Sequence, residues 1–249
     1  MSQRQAGPPI ETLAAVRGLA HTYSVGDDGA IALRGVDLDL APGERLAIMG
    51  RSGSGKTTLL NILAGLETPT TGRALIDGHD LQRMGRRERE QYRRRVVGYV
   101  WQRPEVGLLP GLTVLQNVLV PQLGAGSSRR EQLGQAVELL EGMRLGKHLD
   151  ERLDQLSPAD TQRLALAVAL ANRPRLLLAD ELTARLDWNA ARELLGDMEP
   201  LLARAGTAAI VVTHEARLER YVDRVVLIRD GVAQAARNGQ QAVGRVWAR

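Results

Sequence analysis

One stretch of nine residues, Gly50-Arg-Ser-Gly-Ser-Gly-Lys-Thr-Thr58, constrains the fold of this chain more than any other feature. It fits the pattern G-x-x-x-x-G-K-[ST]. Residues 44–49 before it read as a strand, and 56–66 within and after it read as a helix stopped by a Thr-Pro-Thr-Thr-Gly turn. A strand, a glycine-rich loop and a helix in that order build a phosphate seat. The glycines let successive backbone N–H groups converge on phosphate oxygens, and the helix N-terminus adds the positive end of its dipole. Gly50, Arg51, Ser52, Gly53, Ser54, Gly55, Lys56, Thr57 and Thr58 are therefore candidate nucleotide-binding residues. Lys56 is expected to reach the β- and γ-phosphates, and the Thr57 hydroxyl to ligate Mg²⁺.

The rest of the chain supplies the layers such a loop needs. Residues 31–40 alternate between apolar and polar, while 176–179 and 208–212 are short continuous apolar runs, as expected for strands covered on both faces. Between 103 and 171 the pattern is mostly helical, punctuated by Pro and Gly. This predicts a mixed α/β nucleotide-binding core with a helical subdomain inserted, spanning residues 11–232. Residues 1–10 and 233–249 read as loosely held tails.

Composition narrows the partners. With 249 residues and 44% hydrophobic content the chain can bury a large core, and with no cysteine it forms no disulfide or thiolate metal site. The first ten residues are polar and Pro-containing, unlike a signal peptide, and the longest apolar stretch, 164–171, is far short of a membrane span. The net charge of +4 is almost all arginine, because lysine occurs only at Lys56 and Lys147. The densest cluster, 83–95, is interrupted by Glu88 and Glu90 and reads as a solvated helix face with internal ion pairs. Phe is absent and aromatics are 3%, so stacking platforms for single strands are missing and nucleic acid is not an expected partner.

Asp180 ends the apolar run Leu-Leu-Leu-Ala, at the mouth of a buried strand, and Glu181 follows it. On its own such a pair marks a strand-to-loop boundary. Downstream of a phosphate loop it places a Mg²⁺-holding carboxylate, acting through water because Mg²⁺ keeps part of its hydration shell, beside a general base for the attacking water.

With these residues in place, the sequence from about 13 to 232 resembles the ATPase subunits of ABC transporters. The resemblance implies a P-loop NTPase core of ABC-ATPase type, with an antiparallel β subdomain and the inserted helical subdomain at about 103–171. It implies ATP and Mg²⁺ as cofactors and ATP hydrolysis as the activity. Tyr23 matches the aromatic that stacks on adenine. Gln102, in Gly-Tyr-Val-Trp-Gln, resembles the glutamine that senses Mg²⁺ and γ-phosphate, and Asp180 the Walker B carboxylate. Leu186-Asp187 resembles the D-loop, and His214, in Val-Val-Thr-His-Glu, the switch histidine. Tyr92-Arg-Arg-Arg, Val97-Gly-Tyr-Val, Leu108-Leu-Pro-Gly-Leu-Thr113 and Asn117-Val look like the lipoprotein-releasing, macrolide-exporting and cell-division group. Membership implies a transmembrane permease partner with a large extracytoplasmic domain, and a peripheral position on the cytoplasmic face of the cell membrane.

The family signature Leu-Ser-Gly-Gly-Gln is altered here to Leu156-Ser-Pro-Ala-Asp160. In the family, Ser157 and its neighbours present backbone N–H groups to the γ-phosphate on an opposite subunit. Pro158 has no N–H, Ala159 adds a Cβ and Asp160 adds negative charge. Ser157 with Asp160 three residues on, and Pro at the first helical position, is a self-capping arrangement. Leu182, where the family usually has Pro, is a milder departure. These changes imply an asymmetric pair, with a second ABC ATPase supplying an intact signature. The alternative is a subunit that uses ATP as a regulatory or mechanical ligand with little sustained hydrolysis. Action on ribosomes or DNA is disfavoured, because the chain has neither a second cassette nor a coiled-coil insertion.

Overall fold

The computed structural model describes residues 12–23, 29–123 and 128–235. Ten strands and six α-helices follow in chain order: β1 (Ala14–Tyr23), β2 (Ala30–Leu40), β3 (Arg45–Met49), α1 (Lys56–Leu63), β4 (Thr71–Ile76), β5 (His79–Asp80), α2 (Arg86–Arg95) and β6 (Val97–Val100). Then come α3 (Val114–Leu119), α4 (Arg129–Gly142), α5 (Pro158–Leu170), β7 (Leu176–Asp180), α6 (Trp188–Ala205), β8 (Ala208–Thr213), β9 (Arg224–Arg229) and β10 (Val232–Ala235). They form a four-stranded antiparallel sheet, ordered β2-β1-β4-β5, and a six-stranded sheet, ordered β10-β9-β3-β8-β7-β6. Five strands of the second sheet, β9, β3, β8, β7 and β6, run parallel, and β10 adds an antiparallel edge.

The central strands β7 and β8 are buried at every position and almost entirely apolar, because each faces a core on both sides. Leu176 and Leu178 of β7, with Ile210 and Val212 of β8, pack into one cluster with α1 and the antiparallel sheet. Leu177 and Ala179, with Ala209 and Val211, pack into a second cluster built from α3, α4, α5 and α6. Leu182 is buried in that second cluster, so its apolar side chain is accommodated by packing. At roughly 25 cal/mol per Å² of apolar surface removed from water, these two clusters dominate the driving force for folding.

Three sequence expectations change in detail. The alternation over 31–40 switches phase: Leu33 points inward, then Val36, Leu38 and Leu40, while Ile31 is half exposed beyond a second register shift, between Leu33 and Ile31. Gly35, at φ +94°, makes the switch, a conformation that glycine adopts without a Cβ clash. The boundary placed at 232 falls inside a hairpin, because the turn through Asp230 and Gly231, both at positive φ, brings Val232–Ala235 back onto β9. The residues beyond 235, like residues 1–10, lie outside those described. On α2 the arginines do not pair with the helix's own glutamates. Arg89 donates to the carbonyls of Leu81 and Glu67, Arg93 to that of Gly65, and Arg94 to that of Leu123, while Glu88 accepts from the N–H of Gly85. Main-chain carbonyls at loop ends have fixed positions and no other donor, so they hold the guanidinium forks better than mobile, solvated carboxylates.

Candidate nucleotide site

The phosphate loop leaves the C-terminal end of β3 and turns into α1 at Gly55, whose φ is +102°. No other residue fits there: a Cβ would lie 2.4 Å from the carbonyl oxygen of Ala32 and 2.8 Å from the Leu33 side chain. Gly50 is equally constrained, its Cβ position being 2.2 Å from the Ile228 oxygen. The loop is thus clamped between β2 and β9, and the clamp fixes where its N–H groups point. Lys56 arches back over the loop, Nζ donating to the carbonyls of Gly50 (2.9 Å) and Arg51 (2.8 Å). Burial pushes its pKa below the ordinary lysine value, opposed by the nearby carboxylates of Glu181 and Asp180.

Across from α1, the end of β7 delivers Asp180 into the same space. Its Oδ2 accepts a hydrogen bond from Thr57 Oγ1 at 2.9 Å, while Oδ1 is buried with no partner. Burial raises the pKa of this carboxylate, and the Thr57 bond partly offsets the rise. A buried acceptor without a donor is costly unless a ligand completes it. One carboxylate oxygen beside a hydroxyl, at the mouth of a phosphate seat, suits a hard cation that shares its remaining ligands with phosphate and water.

Glu181 sits at φ +52°, rare for a residue with a Cβ, yet its N–H still donates to Val212 (2.9 Å) and extends the β7–β8 ladder. The turn swings its carboxylate to His214, whose Nδ1 lies 2.9 Å from Oε1 and 2.8 Å from Oε2. Gln102 comes from the segment after β6. Tyr23 stands at the end of β1, its hydroxyl donating to Glu67 Oε2 at 2.6 Å and lying 3.2 Å from Thr58 Oγ1.

A cleft of about 910 Å³ gathers Tyr23, Gly50, Arg51, Ser52, Gly53, Gly55, Lys56, Thr57, Thr58, Gln102, Asp180, Glu181 and His214 along one wall system. It also takes in Ala30, Ile31 and Ala32 from the start of β2, which carry no sequence signal. Two expected residues lie elsewhere. Ser54 is buried outside the cleft, where its carbonyl accepts from Gly231 N–H and the residue borders a second cavity with residues 227–230. Ser157 caps α5, outside the cleft.

At that cap Ser157 Oγ accepts from the N–H of Asp160 (3.1 Å) and donates to Asp160 Oδ2 (2.6 Å), with Pro158 as the first helical residue. Asp160 is held further by Arg163 (3.3 Å), a buried arginine that also pairs with Glu193 of α6 at 3.1 Å. The cap therefore occupies the Asp160 N–H, and the Asp160 carboxylate is drawn toward its own helix. Pro158 borders a small cavity with Glu105 and Arg185, which form an ion pair at 2.7 Å between the segment after Gln102 and the segment after Glu181.

Among the described residues no helix is long and apolar enough to cross a membrane. The ABC transporter family model matches residues 33–184. The lipoprotein-releasing system ATP-binding protein LolD 2 of Caulobacter vibrioides is 42% identical over 217 residues, covering 87% of this chain and 94% of that protein. The macrolide export ATP-binding/permease protein MacB of Rhodopirellula baltica is 42% identical over 231 residues, 92% of this chain but 34% of that longer protein. Among solved structures, the ATP-binding cassette MJ0796, described as a dimer in a post-hydrolysis state bound to ADP and Pi, superposes with a TM-score of 0.81 at 33% identity, covering 89% of this chain and 98% of that one. With its phosphate loop, carboxylate pair and cleft assembled on that fold, the chain belongs to the ABC transporter family, as an ATP-binding ATPase component.

Proposed function

We propose that this chain drives a membrane permease by ATP-dependent closure against a second ATPase, as one half of an asymmetric pair. The observation that carries the reading is the contrast between a complete cleft and a closed signature end. The cleft has its cation position (Asp180 Oδ1 with Thr57), a carboxylate poised as base (Glu181) and a histidine that fixes it. The end of α5 offers no free N–H at Pro158 and turns Asp160 inward on Ser157 and Arg163. A nucleotide bound here needs its opposing donors from a different chain.

In this reading Lys56 and the loop N–H groups hold the β- and γ-phosphates. Thr57, Asp180 and Gln102 would hold Mg²⁺, which would neutralise phosphate charge. Glu181 accepts the proton of the attacking water, and His214 keeps the carboxylate oriented toward it. Val106 and Leu109, both well exposed just beyond Gln102, give the helical region an apolar face for a permease segment. The named relatives act in lipoprotein release and macrolide export, and the longer ones join ATP-binding and permease parts under one name. This supports a permease partner of that group; a large extracytoplasmic domain on that partner and a station at the inner face of the membrane belong to the proposal. The self-capped α5 also favours a second reading, in which the chain holds ATP as a regulatory or mechanical ligand.

Single-turnover hydrolysis, measured with and without a sister ATPase carrying Gly-Gly-Gln in the signature, separates the two. The asymmetric pair requires turnover only in the mixture. Equal turnover by the isolated chain overturns the asymmetry, and no turnover in any pairing favours the ligand reading.

A further inference from the structure

Behind the cleft, Tyr23 is anchored by a side chain that does not touch the cleft. Glu67, in the turn after α1, takes the Tyr23 hydroxyl on Oε2 at 2.6 Å and the Asn61 amide N–H on Oε1 at 2.9 Å. Asn61 in turn accepts the Tyr99 hydroxyl at 3.0 Å, and His21 Nε2 lies 3.4 Å from Glu67 Oε2. The His21 ring also meets Tyr23 edge-on, with centroids 4.6 Å apart. The backbone of this turn is stitched down at both ends. Leu66 and Glu67 N–H groups donate to the carbonyl of Asn61, Thr70 N–H donates to Ala20, and Thr22 N–H donates to Thr70 Oγ1. Glu67 is therefore a fixed post, and the Tyr23 ring is held by its far end while the residue lines the cleft.

We infer that Glu67 is a positioning residue for the nucleotide base: by holding the Tyr23 hydroxyl it presets the aromatic ring as the stacking platform, and so sets the preference for a base-bearing nucleotide over bare triphosphate. The inference rests on the reading of Tyr23 as the base platform. A ring held in place before binding loses less rotational freedom when the base arrives, whereas a ring released from its anchor must be ordered by the ligand. The carboxylate also suits the task because a hydrogen bond to a charged acceptor is stronger and shorter than a neutral one.

The test compares Mg-ATP with Mg-tripolyphosphate, which shares the phosphate chain but has no base, by calorimetry on the full chain. Tyr23→Ala should weaken ATP by about tenfold or more, the scale of one lost base–aromatic stack, and leave tripolyphosphate unchanged. Glu67→Ala should weaken ATP by about three- to tenfold and again spare tripolyphosphate. Tyr23→Phe, which keeps the ring but removes the hydroxyl and with it the Thr58 contact as well as the Glu67 bond, should weaken ATP at least as much as Glu67→Ala. The double variant should then be no worse than Tyr23→Phe alone, because the Glu67 link is already cut in it. Glu67→Gln, which retains an acceptor for the hydroxyl, should fall within about twofold of the parent. If Tyr23→Ala leaves ATP affinity intact, the platform reading itself fails. If Tyr23→Ala weakens ATP but Glu67→Ala does not, Glu67 positions nothing. If Glu67→Ala weakens ATP and tripolyphosphate alike, its role is only to hold the fold of the turn, and the inference is overturned.

Discussion

His214 Nδ1 sits between the two carboxylate oxygens of Glu181, at 2.9 Å and 2.8 Å, although the residues come from the ends of different strands. The contact orients a carboxylate already swung out of the β7 line by its left-handed backbone. Glu181→Gln keeps that size and polarity but removes the proton acceptor of the proposed mechanism. ATP binding should persist while turnover in the assembled complex falls by about 10²–10⁴-fold. His214→Ala leaves the base but frees it, so kcat should drop by about ten- to a hundredfold with KM little changed. Steady-state ATPase assays on the two variants check the ordering, and a Glu181→Gln complex that still works at the parental rate would move the base elsewhere.

Lys56 has a different signature. Its ammonium already reaches two loop carbonyls, so on the proposed function Lys56→Ala removes both a phosphate ligand and a brace of the loop. Charge-assisted bonds to phosphate are worth about 1.5–3 kcal/mol each. Mg-ATP affinity should therefore fall by at least about tenfold. Unlike the variants at Tyr23, this one should lose tripolyphosphate to the same extent, and calorimetry with both ligands reads the difference.

On the proposed function, Asp180 exchanges stability for cation binding. Burial holds its pKa above the ordinary 3.8, so the ionised form destabilises the fold. The sign follows from proton linkage. In the range between the unfolded and folded pKa the native state binds the extra proton, so the penalty is absent below the unfolded value and complete once pH exceeds the folded one. Asp180→Asn should raise the melting temperature of the ligand-free protein at neutral pH by about 2–4 °C, the shift expected from roughly 1 kcal/mol in a chain of this size. The gain should shrink as pH falls into the carboxylate range, and Mg²⁺-dependent hydrolysis should be lost. Thermal melts at pH 7.5 and pH 4 (about the carboxylate pKa range) test both halves. A variant that melts lower at neutral pH would contradict the burial argument.

Pro158→Gly, Ala159→Gly and Asp160→Gln together reopen the end of α5. They return one backbone N–H and remove a carboxylate that Arg163 only partly neutralises. One recovered charge-assisted bond is worth about 1.5–3 kcal/mol, enough to favour ATP-driven closure by about ten- to a hundredfold. Combined with Glu181→Gln, the repaired chain should form ATP-dependent homodimers on size-exclusion chromatography, while Glu181→Gln alone should not. Tight dimers of the unrepaired chain would show that the signature is not impaired.

Which parts were legible follows from the range of the interactions. The phosphate loop, the apolar strands 176–179 and 208–212 and the Ser157 cap are local: turn chemistry, burial on both faces and a three-residue spacing decide them. The phase switch at Gly35 was hidden because glycine in a strand pattern does not say whether it bulges. The partners of Arg89, Arg93 and Arg94 were misread because a sequence shows the nearby glutamates but not the carbonyls of distant loop ends. Glu67 was missed altogether. Its link to Tyr23 spans 44 positions and exists only once β1, α1 and the turn after it are assembled.

Neighbouring residues of β7 belong to different halves of the molecule: Leu178 faces the antiparallel sheet and α1, while Leu177 faces the helical region. The strand acts as a party wall. Substitutions that reshape the helical side, down to a rewritten signature, need not disturb the packing beneath the phosphate seat. A lineage could thus change which chain it closes against, or whether it closes at all, while its ability to hold a nucleotide passes from ancestor to descendant intact.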